Sequence, residues 1–403
     1  MIPATSTTSD WNLPARTYGV LGAVTLISFL DGAVFMLLLL SLSAGGEGWE
    51  VTAVMMATLL PPILLAPALG AMVDRMPGRL AWVISLIMCT ITTALLAVLA
   101  GSMIMVVVAG IKACFTSVAG SAVFKLLPTV GGLTTDRASA LAVTIGSITG
   151  IVAPPLAAFG FGLGHFWVLA ICAALYLVAA LLVAFCLNSS ERVEVEQMSL
   201  TEILLGTRSL RHLKSFVKFM PLMFGVVIAT SMEAVAGVFY LQEVAGGPVM
   251  YGVLLAAWAL GSLAGATSKL LNVIPTSPTG SIALGGLGIS LALLVEGLIP
   301  SAVVILIAFL LGGLANSLHN IGVRDIVYEH VPPNLRGQAW AFVGAMFASG
   351  EALGNLLGTP NLFASERNIV IAAGAIGTVI ALATTVYFAR SLGIARKAQT
   401  ASE

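Results

Sequence analysis

Four ionisable side chains interrupt stretches of sequence that are otherwise almost entirely apolar: Asp31, Lys112, Glu233 and Glu351. A charge in an apolar medium costs at least about 2.5–3.5 kcal/mol, so each residue must pair with an opposite charge or face a polar cavity. Asp31 and Lys112 can neutralise each other, either as a static structural pair or as one that opens during function. No base occurs at a comparable depth around Glu233 and Glu351. A buried acid of this kind can exchange a proton near neutral pH.

A second polar group follows in the last quarter of the chain. His319 is accompanied by Asn316 and Asn320, four residues apart and therefore on one side of a helix. These side chains suit a helix that lines a pore, and they equally suit the wet mouth of a cavity. Together with the four charges, Asn316 and His319 make up the predicted proton-coupling and central-cavity residues.

The elements that carry these residues must lie in lipid. The chain has 403 residues, of which 59% are hydrophobic and 9% charged, and its mean hydropathy is +1.04. Soluble domains carry about 25% charged residues. A span needs about 20 apolar residues, and the sequence predicts an all-α integral membrane protein with twelve transmembrane helices, at 18–42, 51–73, 80–100, 103–127, 138–160, 166–187, 219–241, 249–271, 279–299, 302–323, 338–359 and 368–390.

The basic residues predict the orientation. Of the 18 Lys and Arg residues, all except Lys112 and Arg367 fall on one side of the predicted spans. By the positive-inside rule that side is the cytoplasm, so we expect a multi-pass protein of the cell (cytoplasmic or inner) membrane with both termini cytoplasmic. The formal net charge of +0 gives no indication of nucleic-acid binding. No phosphate-binding loop, metal-ligand spacing or enzyme constellation occurs, so we expect no metal, no cofactor and no enzymatic activity.

The sequence divides into two similar parts. A polar stretch at 188–218, acidic at first and then basic, separates an N-terminal bundle (1–187) from a C-terminal bundle with a short cytoplasmic tail (219–403). This cytoplasmic linker is either a solvated connection or, in its basic part, an amphipathic helix on the membrane surface. Asp31 and Glu233 lie at similar depths in the first and seventh spans. A duplicated unit, giving two pseudo-symmetric six-helix bundles, is therefore predicted.

The second span runs into a loop with a recognisable pattern: Gly70, Asp74, Arg75 and Arg79 in the sequence GAMVDRMPGR. A tight turn carrying an acid and two bases can hold a neighbouring helix end and release it, although it can also be a plain cytoplasmic loop. The loop resembles the signature between helices two and three of the major facilitator superfamily. Pro77 and Gly78 depart from that pattern. The resemblance implies that these four residues gate the cytoplasmic face.

The fifth span contains Gly146, Gly150 and Pro154. Small residues four apart allow helices to approach closely, and a proline kinks the helix. This segment resembles the Gly- and Pro-rich motif of antiporters in the same superfamily, and the layout and turns resemble its drug, macrolide and siderophore exporters. Lysophospholipid transporters are a near alternative, since they share an acid early in the first span and the pair Gly350-Glu351.

The resemblance implies a secondary transporter that works by alternating access. We expect proton-coupled efflux, as an antiporter, of a small amphipathic or lipophilic compound such as a drug or siderophore, including multidrug export. The partners would be the substrate, protons and membrane lipid, and the protein would be a monomer. A transporter of lysophospholipid or another lipid is the first alternative. A non-transporting membrane receptor on the same scaffold is the second.

Overall fold

A computed structural model describes residues 14–45, 48–65, 68–69, 76–99, 102–126, 135–187, 214–271, 273–274, 276–331, 336–362 and 364–400. Within these ranges the chain forms helices joined by turns, and no β-strand is present. Gly70, Asp74 and Arg75 of the predicted gating loop lie outside the described residues, as does nearly all of the predicted linker.

The described residues form twelve helices, which confirms the predicted all-α class. Ten of them contain segments long and apolar enough to cross a membrane, and the apolar parts of the second and eleventh are shorter. The helices are α1 (Ala15–Ser43), α2 (Gly48–Leu64), α3 (Gly78–Val98), α4 (Ile104–Leu126), α5 (Thr135–Gly162), α6 (His165–Cys186), α7 (Lys214–Ala245), α8 (Pro248–Leu270), α9 (Pro278–Leu298), α10 (Ala302–His330), α11 (Arg336–Leu357) and α12 (Glu366–Thr400).

Helix ends differ from the predicted bounds where polar residues continue a helix beyond its apolar part. Helix α10 extends to His330 and α7 begins at Lys214, inside the predicted linker. Helix α2 instead ends early, at Leu64, directly after Pro61 and Pro62. Proline has no N–H to donate and its ring clashes with the preceding turn, so two adjacent prolines weaken the helix there. Hydropathy alone reports the apolar run and does not detect these effects.

The six helices before the linker and the six after it pack in the same pattern. Helix α1 packs on α5 and α6, α3 packs on α4 and α6, and α2 packs on α4. Likewise α7 packs on α11 and α12, α9 on α10 and α12, and α8 on α10. Each contact in the second set follows from the first by advancing the helix number by six, so the two bundles are pseudo-symmetric.

Glycines set the closeness of the α7–α11 contact. A side chain at Gly354 would collide with the Ile228 carbonyl, and one at Gly358 would collide with the backbone of Met232. Gly350 faces Phe224 and Val227 in the same way. The stripe of small residues in the eleventh helix therefore packs helices within one bundle.

The two bundles meet most extensively where α5 lies against α8. We call the side of the bundle that carries the start of α1 and the end of α12 the terminal face, and the opposite side the far face. Side chains join the bundles at the far face: Thr52 and Thr359 share a 2.8 Å hydroxyl hydrogen bond, and Gln242 Nε2 donates to Ser43 Oγ at 3.1 Å. These four residues, named here the far-face latch, join the two bundles on that side.

Candidate functional site

An ion pair lies in the middle of the first bundle. Lys112 Nζ on α4 donates to Asp31 Oδ1 on α1 at 2.8 Å. The same carboxylate oxygen accepts from Thr116 Oγ1 at 3.2 Å and from the Tyr176 hydroxyl on α6 at 2.5 Å. Two helices, α4 and α6, therefore direct donors at one acid on α1. We call Asp31, Lys112, Thr116 and Tyr176 the charge network.

Local geometry explains how the network forms. Lys112 and Thr116 are four residues apart and share one face of α4, so both reach the same partner. Lys112 Nζ also lies 5.1 Å from the centre of the Tyr176 ring, a cation–π contact. The side chain of Lys112 is 8% exposed and that of Asp31 is 27% exposed. The base is therefore buried in the bundle, whereas the acid borders open space.

That open space is a cavity of about 340 Å³ between α1, α2 and α4. Asp31, Lys112, Thr116, Ser117 and Thr58 supply its polar groups. The remaining wall is apolar and consists of Val34, Phe35, Leu38, Pro62, Ala109 and Ala113. A cavity with apolar walls and a few convergent polar groups is the usual form of a small-molecule site.

The second bundle carries two acidic side chains whose surroundings differ from those of Asp31. Glu233 on α7 is half-buried, and Glu296 on α9 is fully buried. Both carboxylate oxygens of Glu296 lack a hydrogen-bond partner among the described residues. The two acids lie on α7 and α9, which pack against each other. Neither carboxylate makes an ion pair within the described part of the chain.

Glu296 was not among the residues predicted from the sequence. It lies near the end of the predicted span 279–299, where an acid looks like an interfacial residue. Its burial depends on tertiary contacts, among them the Tyr240 hydroxyl, which donates to the Glu296 carbonyl oxygen at 2.9 Å. The sequence feature that could have indicated this site is the acid itself, which is the one charged residue in the run LALLVEGLIP.

The remaining predicted cavity residues fall in different places. Glu351 is exposed on α11. Asn316 lies near Asn320, whose Nδ2 donates to Asn316 Oδ1 at 3.2 Å. His319 is 2% exposed and points at α9, where its Nδ1 donates to the Ile282 carbonyl oxygen at 3.2 Å. His319 therefore packs between helices, and the structure does not bring it into the cavity beside Asp31.

Arg79, the one described basic residue of the predicted gating loop, binds within its own bundle. Its guanidinium donates to the Ala184 carbonyl oxygen near the C-terminal end of α6, at 2.5 Å. A cation there satisfies a free carbonyl and complements the helix dipole. In this conformation Arg79 joins α3 to α6.

The small residues of α5 do not act as their spacing suggests. A side chain added at Gly146 or Gly150 would meet no atom of the described residues within 4 Å, so the structure does not show the expected close approach there. The close approach lies one to two turns further along, where a side chain at Gly252 of α8 would collide with Pro154 and Pro155. The proline pair therefore forms the contact between the bundles.

No group of three or more His, Cys, Asp or Glu residues within the described ranges is arranged to hold a metal ion. The arrangement instead offers two kinds of chemistry. The first bundle presents a compensated charge pair beside an apolar-walled cavity. The second presents two uncompensated acids, which suit proton binding.

Comparison with known proteins places the fold. The model of the Major Facilitator Superfamily matches residues 21–355. The structure resembles the nucleoside transporter NupG (TM-score 0.75, 16% identity, 93% of this chain and 99% of that one). It also resembles a variant of the peptide transporter POT (0.73, 12%, 95% and 96%) and a bacterial homologue of the iron transporter ferroportin in an inward-facing state (0.68, 16%, 92% and 98%).

A search of curated proteins gives no match. The similar structures transport different substrates, and at these identities they support the fold alone, so the exporter branch predicted from the sequence is not established by them. The family match covers most of the chain. The apolar helices and their arrangement in two bundles agree with that family. The protein therefore belongs to the Major Facilitator Superfamily and is a multi-pass membrane transporter, not an enzyme.

Proposed function

We propose that this protein is a proton-coupled antiporter that exports a small amphipathic or lipophilic compound, such as a drug or siderophore. The observation that carries the proposal is the unequal charge of the two bundles. An ion pair borders a largely apolar cavity in one, and uncompensated acids lie inside the other. Substrate binding and proton binding are thereby assigned to different halves of one molecule.

The cavity supports an amphipathic substrate. Phe35, Leu38 and Pro62 offer apolar contact area, and Asp31 is the exposed member of the ion pair. A substrate with a polar or cationic group can approach Asp31 while its apolar part lies against the wall. Binding there would weaken the hold of Lys112 on the acid, which gives the substrate a means of altering the bundle.

The acids of the second bundle support proton coupling. Glu233 lies in the apolar part of α7 and has no basic partner among the described residues. Glu351 is exposed at mid-span, and a charged group at that depth must face water, because contact with lipid would be too costly. We assign Glu233 and Glu351 as carriers of the coupling proton.

The contacts between the bundles support alternating access. The far-face latch closes one side, and α5 lies against α8 through Pro154 and Gly252. With the termini in the cytoplasm, as the distribution of Lys and Arg predicts, this arrangement is the inward-open state of a monomeric protein in the cytoplasmic membrane. Export requires the latch to open and a cytoplasmic gate to form.

The test uses purified protein in proteoliposomes that contain a pH-sensitive dye. A thermal-shift screen across drugs, siderophores and lysophospholipids first selects a compound that stabilises the protein, and ethidium serves as the initial lipophilic cation. We expect addition of the selected compound to release protons from acid-loaded vesicles, and Glu233→Gln to abolish this flux while leaving the thermal shift intact.

Three results would contradict the proposal. Stabilisation by lysophospholipid alone would identify a lipid transporter, and binding without any flux would identify a receptor. Substrate flux that is unaffected by the pH gradient, in the wild type and in both Glu233→Gln and Glu351→Gln, would exclude proton coupling.

A further inference from the structure

We infer that Glu296 and Glu233 together form a two-carboxyl proton-binding site between α7 and α9. This inference rests on the proposed proton coupling and extends it, because it adds a second acid, on a helix outside the cavity, to the residues that handle the proton.

The burial of Glu296 is the first step. Its residue is 0% exposed, and neither carboxylate oxygen has a hydrogen-bond partner among the described residues. Burying an ionised carboxylate without solvation costs far more free energy than burying a neutral carboxylic acid, which is only a polar group. A proton is the one ligand that removes the charge without needing space.

The second step is that both acids converge on one place. Side chains on a helix lean toward its N-terminus, so Glu296, near the C-terminal end of α9, leans back toward the membrane centre. Glu233 bends the opposite way, because its carboxylate lies over Gly237, where any side chain would collide with it. The bond from Tyr240 to the Glu296 carbonyl oxygen (2.9 Å) fixes α7 against α9.

Other titratable or charged groups around the pair do not compensate it. Tyr251 of α8 is buried and Tyr240 uses its hydroxyl on a backbone oxygen, and neither supplies a positive charge. Arg367 of α12 is the nearest base, and it donates to the carbonyl oxygens of Gly297 and Leu298, at 2.9 and 3.2 Å. On α10, the buried His319 lies against Ile282, at the other end of α9.

The chemistry follows from this arrangement. Two carboxylates on packed helices, with no ion-pair partner among the described residues, disfavour double ionisation in an apolar bundle, so the pair retains a proton on one of its carboxyl groups. The proton comes from water and returns to water, and the pair titrates as a unit in two steps. Movement of the second bundle as a unit during alternating access would change the access of water to the pair and so let the proton exchange.

The experiment is an infrared titration of the protonated-carboxyl band in purified wild type, Glu233→Gln, Glu296→Gln and Glu243→Gln. Glu243 is an exposed acid near the end of α7 and serves as the matched control. We expect a two-step change of the band in wild type and in the control. Each of Glu233→Gln and Glu296→Gln should reduce it to one step.

Proton flux in the same variants separates this inference from the proposed function. If Glu296→Gln keeps the two-step titration and full flux while Glu233→Gln loses flux, the two-carboxyl site is wrong and proton coupling stands. If neither variant alters the titration or the flux, the two-carboxyl site is wrong, and proton coupling is wrong as well if Glu351→Gln also leaves the flux unchanged. Should Glu296→Gln fail to fold, Glu296→Asp, which keeps the carboxyl, must restore both folding and the two-step titration, and a one-step titration in Asp would overturn the pair.

Discussion

The two bundles share their helix packing but treat their buried charges differently. In the first, Asp31 receives hydrogen bonds from Lys112, Thr116 and Tyr176. In the second, Glu296 has no side-chain partner among the described residues. Helix α10, the counterpart of α4, carries no Lys or Arg before Arg324, so no base like Lys112 is available.

This difference indicates a division of labour on a duplicated scaffold. A charge network with every group satisfied is rigid, and removing one member leaves another uncompensated. An acid without partners can change its protonation state with little rearrangement of its neighbours. The first bundle is therefore built to hold charge, and the second is built to exchange it. Each variant below changes one side of this comparison.

The largest effect is expected from breaking the ion pair. Asp31→Asn leaves Lys112, 8% exposed, without its counter-charge, which should lower the free energy of unfolding by roughly 3–5 kcal/mol. Lys112→Met should cost less, because Asp31 keeps Tyr176 and Thr116 as donors. For both variants, the folded yield is measured by size-exclusion chromatography and the stability by the thermal unfolding midpoint in detergent.

The double variant is the control for this prediction. Asp31→Asn with Lys112→Met removes both charges, and we expect it to recover most of the stability lost in Asp31→Asn. If the single variants match the wild type in yield and midpoint, the pair contributes nothing and the first bundle does not differ from the second.

The next effect tests the hydroxyl donor. Tyr176→Phe removes a hydrogen bond to a charged acceptor, which is worth about 1.5–3 kcal/mol, and keeps the ring beneath Lys112. Tyr240→Phe in the second bundle removes a bond to a neutral backbone oxygen and should cost only about 0.5–1.5 kcal/mol. Equal losses of thermal stability in the two variants would show that the hydrogen bond to Asp31 is no stronger than the one to a backbone carbonyl oxygen.

The sequence predicted the fold and the first site better than the second. Hydropathy is enough to locate apolar helices, and a buried Lys112 requires an acid, of which Asp31 is the one inside a predicted span of the same bundle. The partners Thr116 and Tyr176 could not be predicted, because hydroxyls are common in membrane helices and only packing selects these. Glu296 was missed because the position of a span's end, and hence the burial of an acid near it, depends on neighbouring helices.

The far-face latch provides a smaller effect that links the bundles. Thr52→Val removes the 2.8 Å bond to Thr359, worth about 1 kcal/mol, so the ratio of far-side-open to far-side-closed molecules should rise about fivefold. Spin labels at Gly45 and Leu362 measure the distance across this face. The reverse shift is expected for Asp74→Asn, at the proposed cytoplasmic gate.

Thr359→Val is the matched variant, because it removes the same bond from the other bundle. Both changes should give the same distance distribution, and the pair together should add little to either one. A distribution identical to the wild type in both would mean that this hydrogen bond does not hold the far face closed.

The smallest change in stability is expected where the charge is least compensated. Among the described residues the Glu296 side chain makes no hydrogen bond, and neither Glu296 nor Glu233 makes an ion pair; the amide of Gln has nearly the shape of the protonated acid. The free energy of unfolding should therefore change by less than about 1 kcal/mol, against several for Asp31→Asn. Glu243→Gln provides the baseline for an exposed acid.

A large loss of stability in Glu296→Gln would reveal a partner that holds this acid, and a large gain would show that the wild type carries an unsolvated charge there. Either result would remove the contrast between a bundle that holds charge and one that exchanges it.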